Sequence, residues 1–202
     1  MKLAIIKYNA GNVQSVTYAL NRLGVEPILT DDKDEILSAD KVIFPGVGEA
    51  STAMKFLKEN GLDLLIPQLK QPVFGICLGL QLMCKHSEEG NTDCLGIFEI
   101  NVKRFEDNQL GKNNERLKVP EMGWNSIHSL KSALYGGLDE NSYVYYVHSY
   151  YAELSDFTIA ITDYVNPFSA SLHKNNFYAA QFHPEKSGEI GEKILKNFLE
   201  KC

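Results

Sequence analysis

The sequence predicts an α/β fold in which a doubly wound, mainly parallel central sheet carries an antiparallel extension. Three observations predict it. Short apolar runs and segments of helical period alternate four times within about 90 residues, the pattern of repeated strand–helix units. Glycine or asparagine punctuates the turns between them. From about residue 95 the helical period disappears, and strand-like segments joined by turns take over until the last helix. The 202 residues, 44% hydrophobic and 23% charged, suit one domain spanning residues 1–202.

Taken in order, Leu3 to Ile6 is an apolar run that reads as the first strand, followed by Asn9, Gly11 and Asn12. Val13, Val16, Leu20 and Leu23 recur at helical spacing, and Gly24 closes that helix. Glu26 to Thr30 reads as a second strand and Ile36 to Leu37 as a short helix. Lys41 to Phe44 is a third strand running into Pro45-Gly46-Val47-Gly48. Ala53 to Asn60 is helical up to Gly61. Val73 to Ile76 is a fourth strand and Leu78 to Lys85 the helix after it. Six further segments, 97–105, 126–130, 143–151, 157–162, 170–173 and 177–182, read as strands joined by turns, and antiparallel strands on the far side of the sheet fit them. Residues 106–118 are the most polar and read as a surface loop. Gly188 to Leu199 places Ile190, Ile194, Leu195 and Phe198 on one helical face.

Composition narrows the function classes. The net charge is −6 and no lysine–arginine cluster stands out, which disfavours a nucleic-acid binder. No apolar run reaches the ~18 residues that span a bilayer. The opening MKLAIIKY lacks the apolar core and cleavage site of a signal peptide and reads as a strand. The four cysteines, Cys77, Cys84, Cys94 and Cys202, have neither disulfide-scaffold density nor zinc-ligand spacing. A reduced, cytoplasmic protein without metal or cofactor is expected, and any special cysteine should be special for its reactivity.

The sharpest chemical signal is Gly75-Ile76-Cys77-Leu78-Gly79, with a strand before it and a helix after it. This is a nucleophile elbow with cysteine in place of serine. The two glycines allow a tight turn that projects the side chain from the sheet edge, and the helix N-terminus behind it favours the attacking thiolate. A bare Gly-x-Cys-x-Gly is as readily a buried structural cysteine. The flanking strand and helix are what favour the nucleophile.

A nucleophilic cysteine needs a base, and the base needs an orienting group. His183 closes an apolar strand, Pro184 stops sheet pairing, and Glu185 lies two positions on, where a carboxylate can turn back to the imidazole. His86 and His173 read as solvated, and His128 has no acid beside it in sequence. Gly46 and Gly48, after the third strand, bring backbone N–H groups to the same sheet edge. Such donors, with the Leu78 amide, suit an oxyanion, although an ordinary strand–helix turn explains them as well.

With the elbow, His-Pro-Glu and Pro-Gly-Val-Gly in this order, the chain resembles the class I (triad) glutamine amidotransferases. Within them it is most similar to the glutaminase subunits of imidazole glycerol phosphate synthase. The similarity runs through Tyr8 to Ser15, Phe44 to Gly48, Gly75 to Leu82, Pro120 to Asn125, Val147 to Tyr151 and Gln181 to Ser187. It implies a flavodoxin-like sheet, and a Cys77–His183–Glu185 triad that hydrolyses glutamine to glutamate and ammonia. It also implies oxyanion donors at Val47, after a peptide flip, and at Leu78. Gln81, Glu89, His148, Ser149 and Tyr150 match positions that hold glutamine, with Gly46 and Gly48 allowing its close approach. Trp124, Asn125, Tyr145 and Lys186 match interface or hinge positions toward a (βα)8-barrel cyclase subunit, which receives the ammonia in histidine biosynthesis.

Two departures from that pattern stand out. Lys7-Tyr8-Asn9-Ala10-Gly11-Asn12 replaces Asp-Tyr-Gly-x-Gly-Asn, and Glu121 stands where the family has histidine; by analogy both lie in loops near the interface. The alternatives are the glutaminase subunit of another amidotransferase, such as that of pyridoxal phosphate synthesis, and a non-catalytic binding module on the same fold.

Overall fold

In parallel strands covered on both faces by helices, every side chain is apolar and buried. The first strand shows this directly: β1 (Leu3–Ile6) is buried at all four positions. The computed structural model describes residues 1–8, 12–111 and 114–202. Its remaining strands are β2 (Ile28–Thr30), β3 (Lys41–Phe44), β4 (Val73–Ile76), β5 (His86–Ser87), β6 (Thr92–Asp93), β7 (Asn101–Arg104), β8 (Glu121–Ile127) and β9 (Ser142–His148). They are followed by β10 (Tyr150–Ala152), β11 (Thr158–Asp163), β12 (Pro167–Lys174) and β13 (Phe177–Ala180). The helices are α1 (Val13–Arg22), α2 (Lys33–Leu37), α3 (Ala50–Glu59), α4 (Leu62–Leu65), α5 (Leu78–Met83) and α6 (Gly188–Lys201).

The central sheet has seven strands in the order β11-β12-β13-β4-β3-β1-β2. From β2 to β13 the pairing is parallel, and β12 and β11 add on antiparallel. The five parallel strands follow the doubly wound order in which the ligand crevice lies beyond the strands' C-terminal ends. Strand alternation divides the core. Ala4, Ile6, Val42 and Phe44 face the side covered by α2, α3 and α4. Leu3, Ile5, Ile43 and Phe74 face α1 and α6, where Phe198 packs 5.1 Å from Phe74 between ring centroids. Among the described residues no helix is long and apolar enough to cross a membrane.

The predicted parallel half is found nearly residue for residue; the second half is rearranged. Of the six later segments, the stretch at 177–182 supplies a parallel strand beside β4, and only β11 and β12 form the antiparallel extension. Strands β8 and β9 make a separate two-stranded ribbon, and β10, β7, β5 and β6 a separate four-stranded sheet. The helix expected to reach Lys85 ends at Met83, because Lys85 N–H donates to the Ile100 carbonyl and the chain enters β5 there. The strand expected at 126–130 begins at Glu121 instead. Its apolar side chains Met122 and Trp124 point to solvent, so no hydrophobic alternation marks it. The run at 143–151 is broken at Ser149, between β9 and β10. Among the described residues of 106–118, Leu110 bridges Arg116; Lys112 and Asn113 lie outside the described residues, as do Asn9, Ala10 and Gly11 of the first departure.

Candidate active site

Four chain segments meet beyond the C-terminal ends of β1, β3, β4 and β13. Cys77 follows β4 with φ 53° and ψ −107°, a strained conformation that aims its side chain away from the sheet and starts α5 immediately behind it. The turn depends on glycine twice. A Cβ on Gly79 would run into the Phe44 carbonyl, and one on Gly75 would come 2.9 Å from Met83 Sδ and 3.0 Å from the Gly79 carbonyl carbon. The elbow helix can lie on the ends of β3 and β4 only because both side chains are absent.

His183 leaves β13 in extended conformation, and Pro184–Lys186 forms a single 3-10 turn that carries Glu185 back over the ring. His183 Nδ1 is 2.7 Å from Glu185 Oε1, with both side chains essentially inaccessible. His183 is further fixed by its backbone, its N–H donating to the Tyr145 carbonyl at 2.9 Å. Burial works against a charge on the imidazole. Its interaction with Cys77, and after that with Glu185, outweighs burial and pushes His183 from the usual 6.5 up to about 10. The three residues are therefore one electrostatic unit, with the imidazole between sulfur and carboxylate.

Two residues that spacing does not single out complete this unit. Asn12, at the start of α1 with φ 69°, donates Nδ2 to Glu185 Oε1 at 2.7 Å. Gln181 is fully buried and directs Nε2 at Cys77 Sγ at 3.7 Å. Both lie inside the stretches that carry the family resemblance, but no local pattern distinguishes them from other loop amides.

Beside Cys77 is a cavity of about 370 Å³. Its lining includes Val47, Gly48, Leu78, Gln81, Glu89, His148, Ser149 and Tyr150, so the residues expected to hold substrate converge there except Gly46, which is packed underneath. Gln81 donates Nε2 to the Tyr150 carbonyl at 2.8 Å and to Gln181 Oε1 at 3.1 Å. Glu89 Oε2 accepts the Ala50 N–H at 2.8 Å at the head of α3; burial raises its carboxyl pKa above the ordinary range, opposed by that hydrogen bond. The Leu78 N–H, a candidate oxyanion donor, is engaged by the Gly46 carbonyl at 3.3 Å. Tyr8, buried at the end of β1, donates its hydroxyl to the neighbouring Pro45 carbonyl at 2.5 Å. In this conformation the Pro-Gly-Val-Gly turn occupies the donor that an oxyanion would use.

The expected interface residues separate into two groups. Trp124, Tyr145 and Lys186 stack on one open face: Trp124 meets Tyr145 edge-on at 6.0 Å, and Lys186 Nζ lies 5.9 Å over the Tyr145 ring. Asn125 instead turns its amide to Glu121 and to the Asp163 carbonyl. Glu121 is buried rather than in an open loop, with its carboxylate 3.3 Å from His148. His128, which lacks an acidic neighbour in sequence, lies 3.8 Å from Asp163. The tyrosine-rich run divides between core and surface, Tyr146 being fully buried and Tyr143 exposed. Among the described residues no group of three or more His, Cys, Asp and Glu side chains is placed to hold a metal ion.

Comparison with known proteins agrees with this geometry. The family model described as glutamine amidotransferase class-I matches residues 4–202. The chain is 64% identical over 200 residues to the imidazole glycerol phosphate synthase subunit HisH of Bacteroides fragilis (strain YCH46), covering 99% of this chain and 100% of that protein. It is 62% identical, at the same coverage, to the subunit of that name from Bacteroides thetaiotaomicron. Among solved structures, a glutamine amidotransferase superimposes with TM-score 0.73 at 20% identity, covering 98% of this chain and 97% of the other. The structure of PurLQS from Thermotoga maritima gives 0.66 at 15%, covering 98% and 97%. At that identity these two speak for the fold alone. The chain belongs to the class-I glutamine amidotransferase family and, within it, to the HisH subunits of imidazole glycerol phosphate synthase.

Proposed function

We propose that this chain is the glutaminase subunit of a cytoplasmic imidazole glycerol phosphate synthase. It hydrolyses glutamine to glutamate and ammonia and passes the ammonia to a (βα)8-barrel cyclase partner, which forms imidazole glycerol phosphate and aminoimidazole-carboxamide ribonucleotide. The observation that carries the reading is Cys77 on a strained elbow, coupled to the buried His183–Glu185 pair and opening on a cavity of amino-acid scale.

Chemistry follows from the placement. The Cys77 sulfur, its proton already held by His183, attacks the side-chain carboxamide carbon of glutamine. The C–N bond breaks as His183 returns that proton to the leaving nitrogen, releasing ammonia and leaving a glutamyl thioester on Cys77. Water, deprotonated by His183, then attacks the thioester; glutamate leaves and the thiol is restored. Glu185 holds the ring and stabilises its charged form, and Asn12 holds Glu185. The tetrahedral oxyanion needs donors aimed at it. The Leu78 N–H becomes one when the Gly46 carbonyl leaves it, and a turned Gly46–Val47 peptide would supply Val47 N–H as the second. Such a rearrangement ties turnover to the state of the partner.

The test is glutamate release from glutamine by the purified chain, alone and with a barrel cyclase and its nucleotide ligand. Release that rises by orders of magnitude in the complex, and disappears in Cys77→Ala, is the expected result. Equal activity with and without the cyclase would reject this partner. A folded chain inactive in both settings would favour a non-catalytic module.

A further inference from the structure

A second buried carboxylate–imidazole pair, Glu121 with His148, sets its imidazole on the lining of the cavity beside Cys77. His148 closes β9 and directs Nδ1 to the Tyr150 carbonyl at 2.8 Å. A carbonyl only accepts, so Nδ1 carries a hydrogen. The other nitrogen, Nε2, lies 3.3 Å from Glu121 Oε2, an ion-pair contact when the ring is charged, and among the described residues neither of these two buried atoms has a hydrogen-bond partner. Two buried polar atoms this close, with no other partner to turn to, hold each other's side chains in place. Glu121 is locked in turn, because Asn125 Nδ2 donates to its other oxygen at 2.9 Å. Phe105, Tyr146 and Phe168 surround the imidazole at 5.3–5.4 Å between centroids.

This pair forms the partition between two cavities. His148 lines the cavity beside Cys77, whereas Glu121 lines a groove of about 600 Å³ on the outer face, together with the exposed Met122, Trp124 and Tyr143. The Tyr150 carbonyl, which His148 holds from one side, is held from the other by Gln81. Ser149, between His148 and Tyr150, is the point where β9 breaks and turns into the cavity.

We propose that Glu121 is a positioning residue of the glutamine pocket. Through His148 it fixes the Tyr150 carbonyl and with it the Ser149 corner, so the outer strand β8 and the substrate wall move as one piece. The inference rests on the glutaminase reading. Glu121 is not catalytic: it touches neither Cys77 nor the space where substrate sits.

The experiment is steady-state glutamate release by the complex with a barrel cyclase, for wild type, Glu121→Ala, Glu121→Gln and Glu121→Asp, each first shown to melt cooperatively. Glu121→Ala removes the outer partner of His148 and is expected to raise KM for glutamine about tenfold, the scale of one lost buried polar contact, with kcat changed less than about threefold. Glu121→Gln can pair with Nε2 and still accept from Asn125, so KM should return to within about threefold of wild type. Should Glu121→Ala not fold, Glu121→Asp, one methylene short, decides: a raised KM supports the proposal and an unchanged one overturns it. A folded Glu121→Ala with wild-type KM, or with a fall in kcat alone, overturns the positioning role while leaving the glutaminase intact. A wild-type complex that releases no glutamate overturns the glutaminase reading and this inference with it.

Discussion

Asn12 and Glu185 are separated by 173 positions, yet the Asn12 amide donates to Glu185 Oε1 at 2.7 Å, the same oxygen that meets His183 Nδ1. The carboxylate that orients the base is thus itself oriented from the head of α1. Asn12→Ala should lower kcat about 10- to 100-fold with little change in KM, since a hydrogen bond to a charged group is worth roughly 1.5–3 kcal/mol in the state that uses it. Asn12 has φ 69°, so Ala adds backbone strain that Gly does not. Asn12→Gly should show the same loss of kcat with less loss of stability. Equal kcat for wild type and Asn12→Gly in a turnover assay would reject the role.

The proton on His183 depends on Cys77. The imidazole lies well above its usual 6.5, at about 10, because the cost of burial is overcome by Cys77 and Glu185. The sign follows from the direction: stability contributed by that proton is fully present below pH 6.5 and is lost as the pH rises through about 10. Cys77→Ala removes the leading favourable partner, so the His183 midpoint should fall toward neutrality. Ring-nitrogen NMR titration of both proteins measures it, and an identical midpoint would contradict the coupling.

Two glycines near the site should respond differently to alanine. Gly79→Ala places a Cβ against the Phe44 carbonyl, where neither backbone can yield, and should destabilise by ~3 kcal/mol or more. Gly48 has φ 117° but open space around it, so Gly48→Ala costs only backbone strain, about 1–3 kcal/mol. Chemical denaturation of the two variants tests the order.

The open face of β8 and β9 should carry partner affinity rather than stability. Trp124 and Tyr143 are exposed by 55% and 58%, and Trp124 packs edge-on against Tyr145. Trp124→Ala should leave the melting temperature nearly unchanged and weaken cyclase binding by about 30-fold, the effect of losing an aromatic anchor worth ~2 kcal/mol. Titration calorimetry against the barrel partner reads this directly; unchanged affinity would place the interface elsewhere.

The parallel half of the fold and the nucleophile are legible in the amino-acid order alone. β1, β4 and, after Lys41, β3 are apolar runs because both their faces are buried, and the glycines around Cys77 are local requirements of one turn. His183 and Glu185 are two residues apart, so their pairing too is a local matter. The remainder emerges only from long-range packing. Strand β8 carries no periodic signal because Met122 and Trp124 face outward, and a period of two in hydrophobicity exists only where one face is buried. The contacts of Asn12 with Glu185, Gln181 with Cys77 and Glu121 with His148 join side chains far apart in the chain. No periodicity or spacing records such contacts; they arise when the sheet brings the C-terminal ends of β1, β4 and β13 to one edge and folds the β8–β9 ribbon beside them.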